Sequence, residues 1–276
     1  MIFRYNRALA APSKTQTAAS TARLKCTGFM PKSLPYRDFY YPLNVFMHIL
    51  TLEEGEVRHL HYGLFEREGE SIGQAQEHST ALLLEHLPPP PARILDVGCG
   101  LGTTVARLTA AGYDAEGITA DAPQAEFARN PRVRVARFED FVSELPYDAL
   151  IFQESSQYID SEMLFARARD LTTRVIVLDE FGTGTLHRLD AFLEAANAHS
   201  FRVTEEIDVS AKAMPTIDYF RARIPSYRER LISDLGVTSQ QVDDLIRNGE
   251  VYRSNYANGT YVYRLLRLER ETRQNR

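Results

Sequence analysis

The chain has 276 residues, 44% hydrophobic and 25% charged, a composition that excludes a disordered or fibrous chain. A net charge of −5 argues against a broad basic surface for nucleic acid, and no run reaches the roughly 20 apolar residues of a membrane span. Two cysteines are too few for a disulfide framework, so a reduced, cytoplasmic setting is the expectation.

Residues 1–35 contain no acidic side chain and are rich in Ala, Ser and Thr, with scattered Arg and Lys. They read as a disordered extension or a basic organellar leader, and little function is expected there. Residues 36–91 read as a helical segment, with apolar positions at Val45, Ile49 and Leu52 and again at Ala75, Ala81, Leu82, Leu84 and Leu87. Pro88–Pro91 then form a stiff stop. From residue 92 to 276 short apolar runs alternate with helical ones. Strands are predicted at 93–97, 114–118, 133–136, 148–152, 174–178 and 202–207, and helices at 103–111, 122–129, 161–170 and 186–198. This alternation predicts a parallel sheet covered on both faces. A helical insertion follows at about 213–250, and residues 260–268 alternate as a final strand should.

The most informative segment is Asp96-Val97-Gly98-Cys99-Gly100-Leu101-Gly102-Thr103. A buried strand delivers the chain to a turn cleared of side chains, and a helix then starts with its free N–H groups facing the same space. In an open parallel sheet that space is the ligand crevice. The spacing lacks the third glycine of the dinucleotide fingerprint, because Thr103 stands there, and no Gly-Lys-Ser/Thr phosphate loop is present. A carboxylate directly ahead of the glycines would repel pyrophosphate and suits a ligand carrying an ammonium group.

These residues resemble motif I of the class I S-adenosylmethionine (SAM)-dependent methyltransferases. Gly117-Ile118-Thr119-Ala120-Asp121-Ala122-Pro123-Gln124 resembles the second-strand motif of the small-molecule subgroup that includes cyclopropane-fatty-acid synthases, sterol methyltransferases and natural-product methyltransferases. His61-Tyr62-Gly63 resembles the element that precedes motif I in that subgroup and closes over the cofactor. The resemblance covers roughly residues 58–210 and the terminal strand. It implies a Rossmann-like α/β fold: a seven-stranded, mostly parallel sheet, an antiparallel last strand and a helical lid from both flanks. It also implies SAM as cofactor, held by Tyr62, Asp96, Gly98, Cys99, Gly100, Gly102, Thr119, Ala120, Gln124, Phe138, Glu139, Asp140 and Gln153. Asp96 would orient the amino-acid end and Thr119 and Gln124 the ribose, with Asp121 as an alternative. Phe138, Glu139 and Asp140 would meet the adenine.

Methyl transfer needs an in-line nucleophile and a water-free site, plus a base when the nucleophile arrives protonated. Glu154, which follows the fourth strand, is the first candidate for that base; the alternatives are a substrate anchor or a structural carboxylate. His61 is a candidate base or lid residue. His59 and His61 lack a compact metal-ligand spacing with the other histidines, so no metal is expected. Tyr36, Phe39, Tyr40, Tyr41 and Phe46, and later Tyr219, Phe220, Tyr227, Tyr252 and Tyr256, either line a substrate pocket or pack the lid. Arg221, Arg223, Arg228 and Arg230 either bind an anion or lie on a solvated face. The expectation is an enzyme that methylates a small molecule, with no nucleic-acid or membrane partner, acting as a monomer or homodimer. The alternative is a SAM-binding regulatory protein without activity.

Overall fold

The structure is a computed structural model that describes residues 34–37, 39–183 and 187–271; the expectations for residues 1–33 lie outside it. In chain order the elements are α1 (Leu43–Glu54), α2 (Ile72–Glu85), β1 (Arg93–Val97), α3 (Thr103–Ala110), β2 (Asp114–Thr119), α4 (Ala122–Ala128), β3 (Val133–Val135), β4 (Ala149–Gln153), α5 (Ser161–Leu171), β5 (Arg174–Gly182), α6 (Leu189–Ala198), β6 (Phe201–Asp208), α7 (Ser210–Ser226), α8 (Arg228–Leu235), α9 (Ser239–Ala257) and β7 (Tyr261–Arg270).

The sheet order is β3-β2-β1-β4-β5-β7-β6. The first five strands in that order run parallel, while β7 lies antiparallel between β5 and β6. The chain is therefore a Rossmann-like α/β protein with a mostly parallel sheet and an antiparallel last strand. Leu95, Leu150, Phe152, Val175 and Val177 pack on one face with Phe165 of α5 and Phe192 of α6. On the other face Ile94, Ile151, Ile176, Leu178, Tyr263 and Leu265 form a second cluster with α1, α2 and the helices α7–α9. Both faces are covered, as the apolar central strands require. Since β2 and β4 flank β1 on opposite sides, the order reverses at β1, and the crevice lies at its carboxyl end.

Local chemistry sets the helix ends. Ser71 and Gln74 form a reciprocal capping box at the start of α2, and Gly55, in the left-handed conformation, closes α1. α1 packs on α7 through an edge-to-face Phe46–Phe220 pair with centroids 5.0 Å apart. Phe46 and Phe220 thus pack helix on helix.

Several boundaries differ from the sequence reading. β5 runs four residues past 178, to Gly182, and α6 starts at Leu189, with Leu186 outside the described residues. The insertion spans Ser210 to Ala257 as three helices, wider than 213–250 at both ends. Pro215 lies inside α7. The preceding turn docks on the last strand, where Val209 N–H donates to Tyr263 O (3.0 Å) and Tyr263 N–H donates to Ser210 Oγ (2.8 Å), so the helix is already under way when Pro215 arrives.

Candidate active site

The turn after β1 is built as its glycines demand. Gly98, Gly100 and Gly102 have φ of 74°, 54° and 71°, in the left-handed region that L side chains rarely adopt. A Cβ on Gly98 would overlap Ser155 Cβ, so the β1 and β4 ends meet closely only because Gly98 has none. The N–H groups of Gly98 and Cys99 both donate to Ile118 O (2.8 and 3.0 Å). The Cys99 thiol packs toward Gly117 and Val105, and burial pushes it well above its ordinary value, so it is an unreactive filler.

Asp96 is 3% exposed and, among the described residues, its carboxylate has neither a hydrogen bond nor an ion pair. Burial alone pushes it up to about 7. A buried carboxylate without a partner is costly, and such groups are normally satisfied by something. At the neighbouring end of β4, Gln153 donates from Nε2 to Ser79 Oγ (3.3 Å), while its Oε1 is buried without a partner. The chain thus presents the Asp96 carboxylate, which no described residue binds, and the buried, unpartnered Gln153 Oε1 at the carboxyl ends of adjacent strands, beside a glycine-rich turn. That arrangement fits a ligand with an ammonium group and further donors, as an amino-acid moiety has.

The remaining positions follow along the same sheet edge. Thr119 ends β2, and its hydroxyl accepts from Asp121 N–H (3.2 Å). Asp121 caps α4 by accepting from Gln124 N–H (3.0 Å), and Gln124 Nε2 reaches its other oxygen (3.5 Å). Asp121 is therefore engaged as a cap, Gln124 is buried, and Ala120 is exposed between them. After β3 the Phe138 ring is in the core, edge-on to Phe152 at 5.4 Å. Glu139 pairs with Arg137 (2.7 Å), and Asp140 is exposed.

Residues 58–63 form a strap across the glycine turn. The Thr103 hydroxyl donates to Arg58 O, and Leu60 Cδ1 lies 3.6 Å from where a Gly100 Cβ would be. Gly63 presses on α2, where a Cβ would come 2.5 Å from Ala75 Cβ. Thr216 of α7 bonds both Gly63 N–H (3.0 Å) and Gly63 O (3.2 Å). Tyr62 N–H donates to Glu154 Oε1 at 2.5 Å. His61 bonds Tyr62 O through Nδ1 (3.0 Å), and His59 Nδ1 and Thr80 Oγ1 through Nε2 (both 3.1 Å). Burial drives the His61 ring well below its ordinary value, so it stays neutral.

Glu154 has a φ of 54°, and backbone strain of this kind in a non-glycine residue concentrates at functional sites. Its Oε1 also accepts from Tyr263 OH (2.7 Å). The sequence reading missed Glu180, a buried carboxylate on β5 that accepts from Tyr256 OH (2.9 Å) and Tyr62 OH (3.4 Å). Asp179 beside it, pushed up to about 6 chiefly by burial, accepts from Ser156 Oγ (2.6 Å). Burial, reinforced by Glu180 and Glu154, holds the Tyr256 and Tyr263 phenols well above their ordinary value, so both are neutral donors. The antiparallel register places Glu180 opposite Tyr263, so the cluster depends on the pairing of strands far apart in the chain.

Of the arginines considered for an anion, Arg221 pairs with Glu250 and Asp218, Arg228 with Asp243, Arg223 with Glu53 and Arg230 with Asp234. They form ion pairs with acidic residues of α1, α7, α8 and α9. Among the described residues no group of three or more His, Cys, Asp or Glu is placed to hold a metal ion, and no helix is long and apolar enough to cross a membrane.

No protein-family model matches the sequence, and no curated protein matches it. Solved structures do. A cyclopropane synthase of Mycobacterium tuberculosis superposes with a TM-score of 0.70 at 16% identity, covering 86% of this chain and 97% of that one. The cyclase SpnF gives 0.69 at 17%, covering 82% and 93%. A geranyl diphosphate C-methyltransferase of Streptomyces coelicolor, solved with S-adenosyl-L-homocysteine (SAH), gives 0.59 at 18%, covering 87% and 100%. The fold of this chain is that of the class I SAM-dependent methyltransferases.

Proposed function

We propose that the protein transfers a methyl group from SAM to O, N or C of a small organic molecule. The observation that carries this reading is Asp96, a buried, unpartnered carboxylate beside a glycine turn whose backbone would admit a ligand. In this reading Asp96 accepts from the ligand ammonium, and the turn of Gly98, Cys99, Gly100 and Gly102 makes room for the amino-acid end, while the Gly98, Cys99 and Gly102 N–H groups stay bonded to Ile118 O and Cys99 O. Thr119, Ala120 and Gln124 lie along the ribose, and Phe138, Glu139 and Asp140 border the adenine, with Asp140 exposed to solvent. Gln153 supplies its unsatisfied oxygen to a ligand donor. SAM, when bound, supplies a methyl group on a sulfonium, so little covalent chemistry is left to the protein beyond positioning and excluding water.

Glu154 faces the acceptor in this reading, with its oxygen fixed by Tyr62 N–H and Tyr263 OH, ready to orient a substrate hydroxyl or amine or to take its proton. His61, with both ring nitrogens bonded to protein, serves as a lid residue that places Tyr62. Glu180 and Tyr256 extend the polar wall toward the lid, where tyrosine rings favour an aromatic or medium-sized organic acceptor. One fold neighbour is named as a cyclase, so the fold alone does not choose the reaction.

Isothermal titration should show SAM and SAH binding, and Gly100→Trp should abolish it while the fold persists. Binding that survives in Gly100→Trp would overturn the assigned site. Incubation with methyl-labelled SAM and a panel of small acceptors should then yield a labelled product. Tight SAM binding with no label transferred to any acceptor would favour the non-catalytic alternative.

A further inference from the structure

The strap carries a proton count that does not close with neutral rings. His61 Nδ1 faces Tyr62 O, which only accepts, so that nitrogen carries a hydrogen. His59 Nε2 lies 2.9 Å from the Glu77 carboxylate, which also only accepts, so that nitrogen carries one too. The remaining contact, His59 Nδ1 to His61 Nε2 at 3.1 Å, needs a third hydrogen between the rings. Two neutral imidazoles hold two ring hydrogens; three positions demand them. The Thr80 hydroxyl can donate to His61 Nε2, but it then leaves the His59 Nδ1 lone pair facing the same atom. Both rings are buried, so water does not take the place of the missing donor.

We propose that His59 is a proton latch: as an imidazolium it bridges Glu77 and the His61 ring and holds residues 58–63 down over the cofactor crevice. Loss of the Nδ1 proton to solvent leaves two lone pairs in contact and frees the strap. The latch rests on the methyltransferase reading only in what it covers. The strap is the residue stretch that Tyr62 and Leu60 belong to, so its release opens the glycine turn and withdraws the Tyr62 donor from Glu154.

The charged groups around His59 come from three elements. Glu77 of α2 favours the imidazolium; Arg107 of α3, bonded to Glu77 at 2.7 Å, and Arg58 of the strap oppose it. Burial of the ring outweighs the rest and holds His59 below its ordinary value. The latch therefore engages on the acid side of neutrality and opens as pH rises. It would slow exchange of ligand where the protein is acidified and permit turnover where it is not.

The test uses the full chain with selectively labelled histidine and SAH. His59 should titrate in one step by NMR, and Glu77→Gln, which removes its counter-charge, should move that midpoint to lower pH. SAH release by stopped flow should slow about tenfold between about pH 8 and about pH 5.5, the size expected of one charge-assisted bond. Asp96 also titrates in this range, so the latch is the component of release that shares the NMR midpoint, follows it in Glu77→Gln and is absent from His59→Asn, the Asp96 component being common to all three proteins. Amide exchange at Tyr62 should show protection that rises with the same proton, and this readout needs no ligand. A release profile unchanged in both variants, or Tyr62 protection that does not follow the His59 midpoint, would overturn the latch. Failure to bind SAH at any pH would instead remove the methyltransferase reading, leaving the NMR and exchange arms to judge the latch alone.

Discussion

Asp96→Asn separates the cost of the site from its use. The Asp96 carboxyl is pushed from 3.8 up to about 7 by burial, so the folded protein holds a proton that the unfolded chain has already released. Stability tied to this group is intact at acid pH and falls as pH rises from about 4 to about 7. At 1.36 kcal/mol per pH unit the full difference is about 4 kcal/mol above neutrality, an upper figure for a group that relaxes when charged. The amide keeps the shape and removes the charge. Ligand-free Asp96→Asn should therefore be more stable than the parent at pH 8, and the two should converge as pH approaches 4. In a chain of this size, even half of that effect raises Tm by about 4–8 °C. SAM affinity should move the opposite way, falling about 10- to 100-fold with the loss of a charge-assisted bond. Thermal scans across this pH range, paired with isothermal titration of SAM, read both quantities. A variant less stable than the parent at pH 8 would show that Asp96 is satisfied within the protein, and unchanged SAM affinity would show that it is no anchor.

Gly98→Ala forces a Cβ into Ser155 at a φ of 74° and should cost about 2–4 kcal/mol, read as a lower denaturant midpoint; an unchanged midpoint would refute the close approach of β1 and β4. Tyr263→Phe takes a donor from Glu154 and should slow methyl transfer about tenfold or more with SAM affinity nearly unchanged; equal loss of both would make Tyr263 a packing residue. Thr216→Val leaves the buried Gly63 N–H unpaired, at a cost of about 1–3 kcal/mol, and should raise amide exchange across residues 58–63; protection equal to the parent's would detach the strap from α7.

The parallel half of the fold was legible because its signals are local. Ile94, Leu95 and Val97 followed by three glycines state a buried strand and a cleared turn within ten residues. Asp160 and Asp121 sit as caps where helices were expected to begin. The missing parts depend on distant pairing. The strand predicted at 174–178 stops short of Asp179 and Glu180, yet β5 carries them on because β7 pairs with it as far as Gly182, Ser156 meets Asp179 and Tyr256 of α9 meets Glu180. The strap was legible as a motif but not as a network. Its partners Gln76, Glu77 and Thr80 lie a dozen or more residues away on α2, and only the fold turns that helix face toward His59 and His61.

The measurement that most directly probes the central claim is a crystal structure of the protein grown with SAH. Density for the nucleoside should lie at the bend leaving β1, its ammonium within hydrogen-bonding reach of the Asp96 carboxylate and its sulfur beneath Tyr62. A bend that stays empty at saturating SAH, or a nucleoside seated elsewhere with Asp96 still unpartnered, would contradict the assignment.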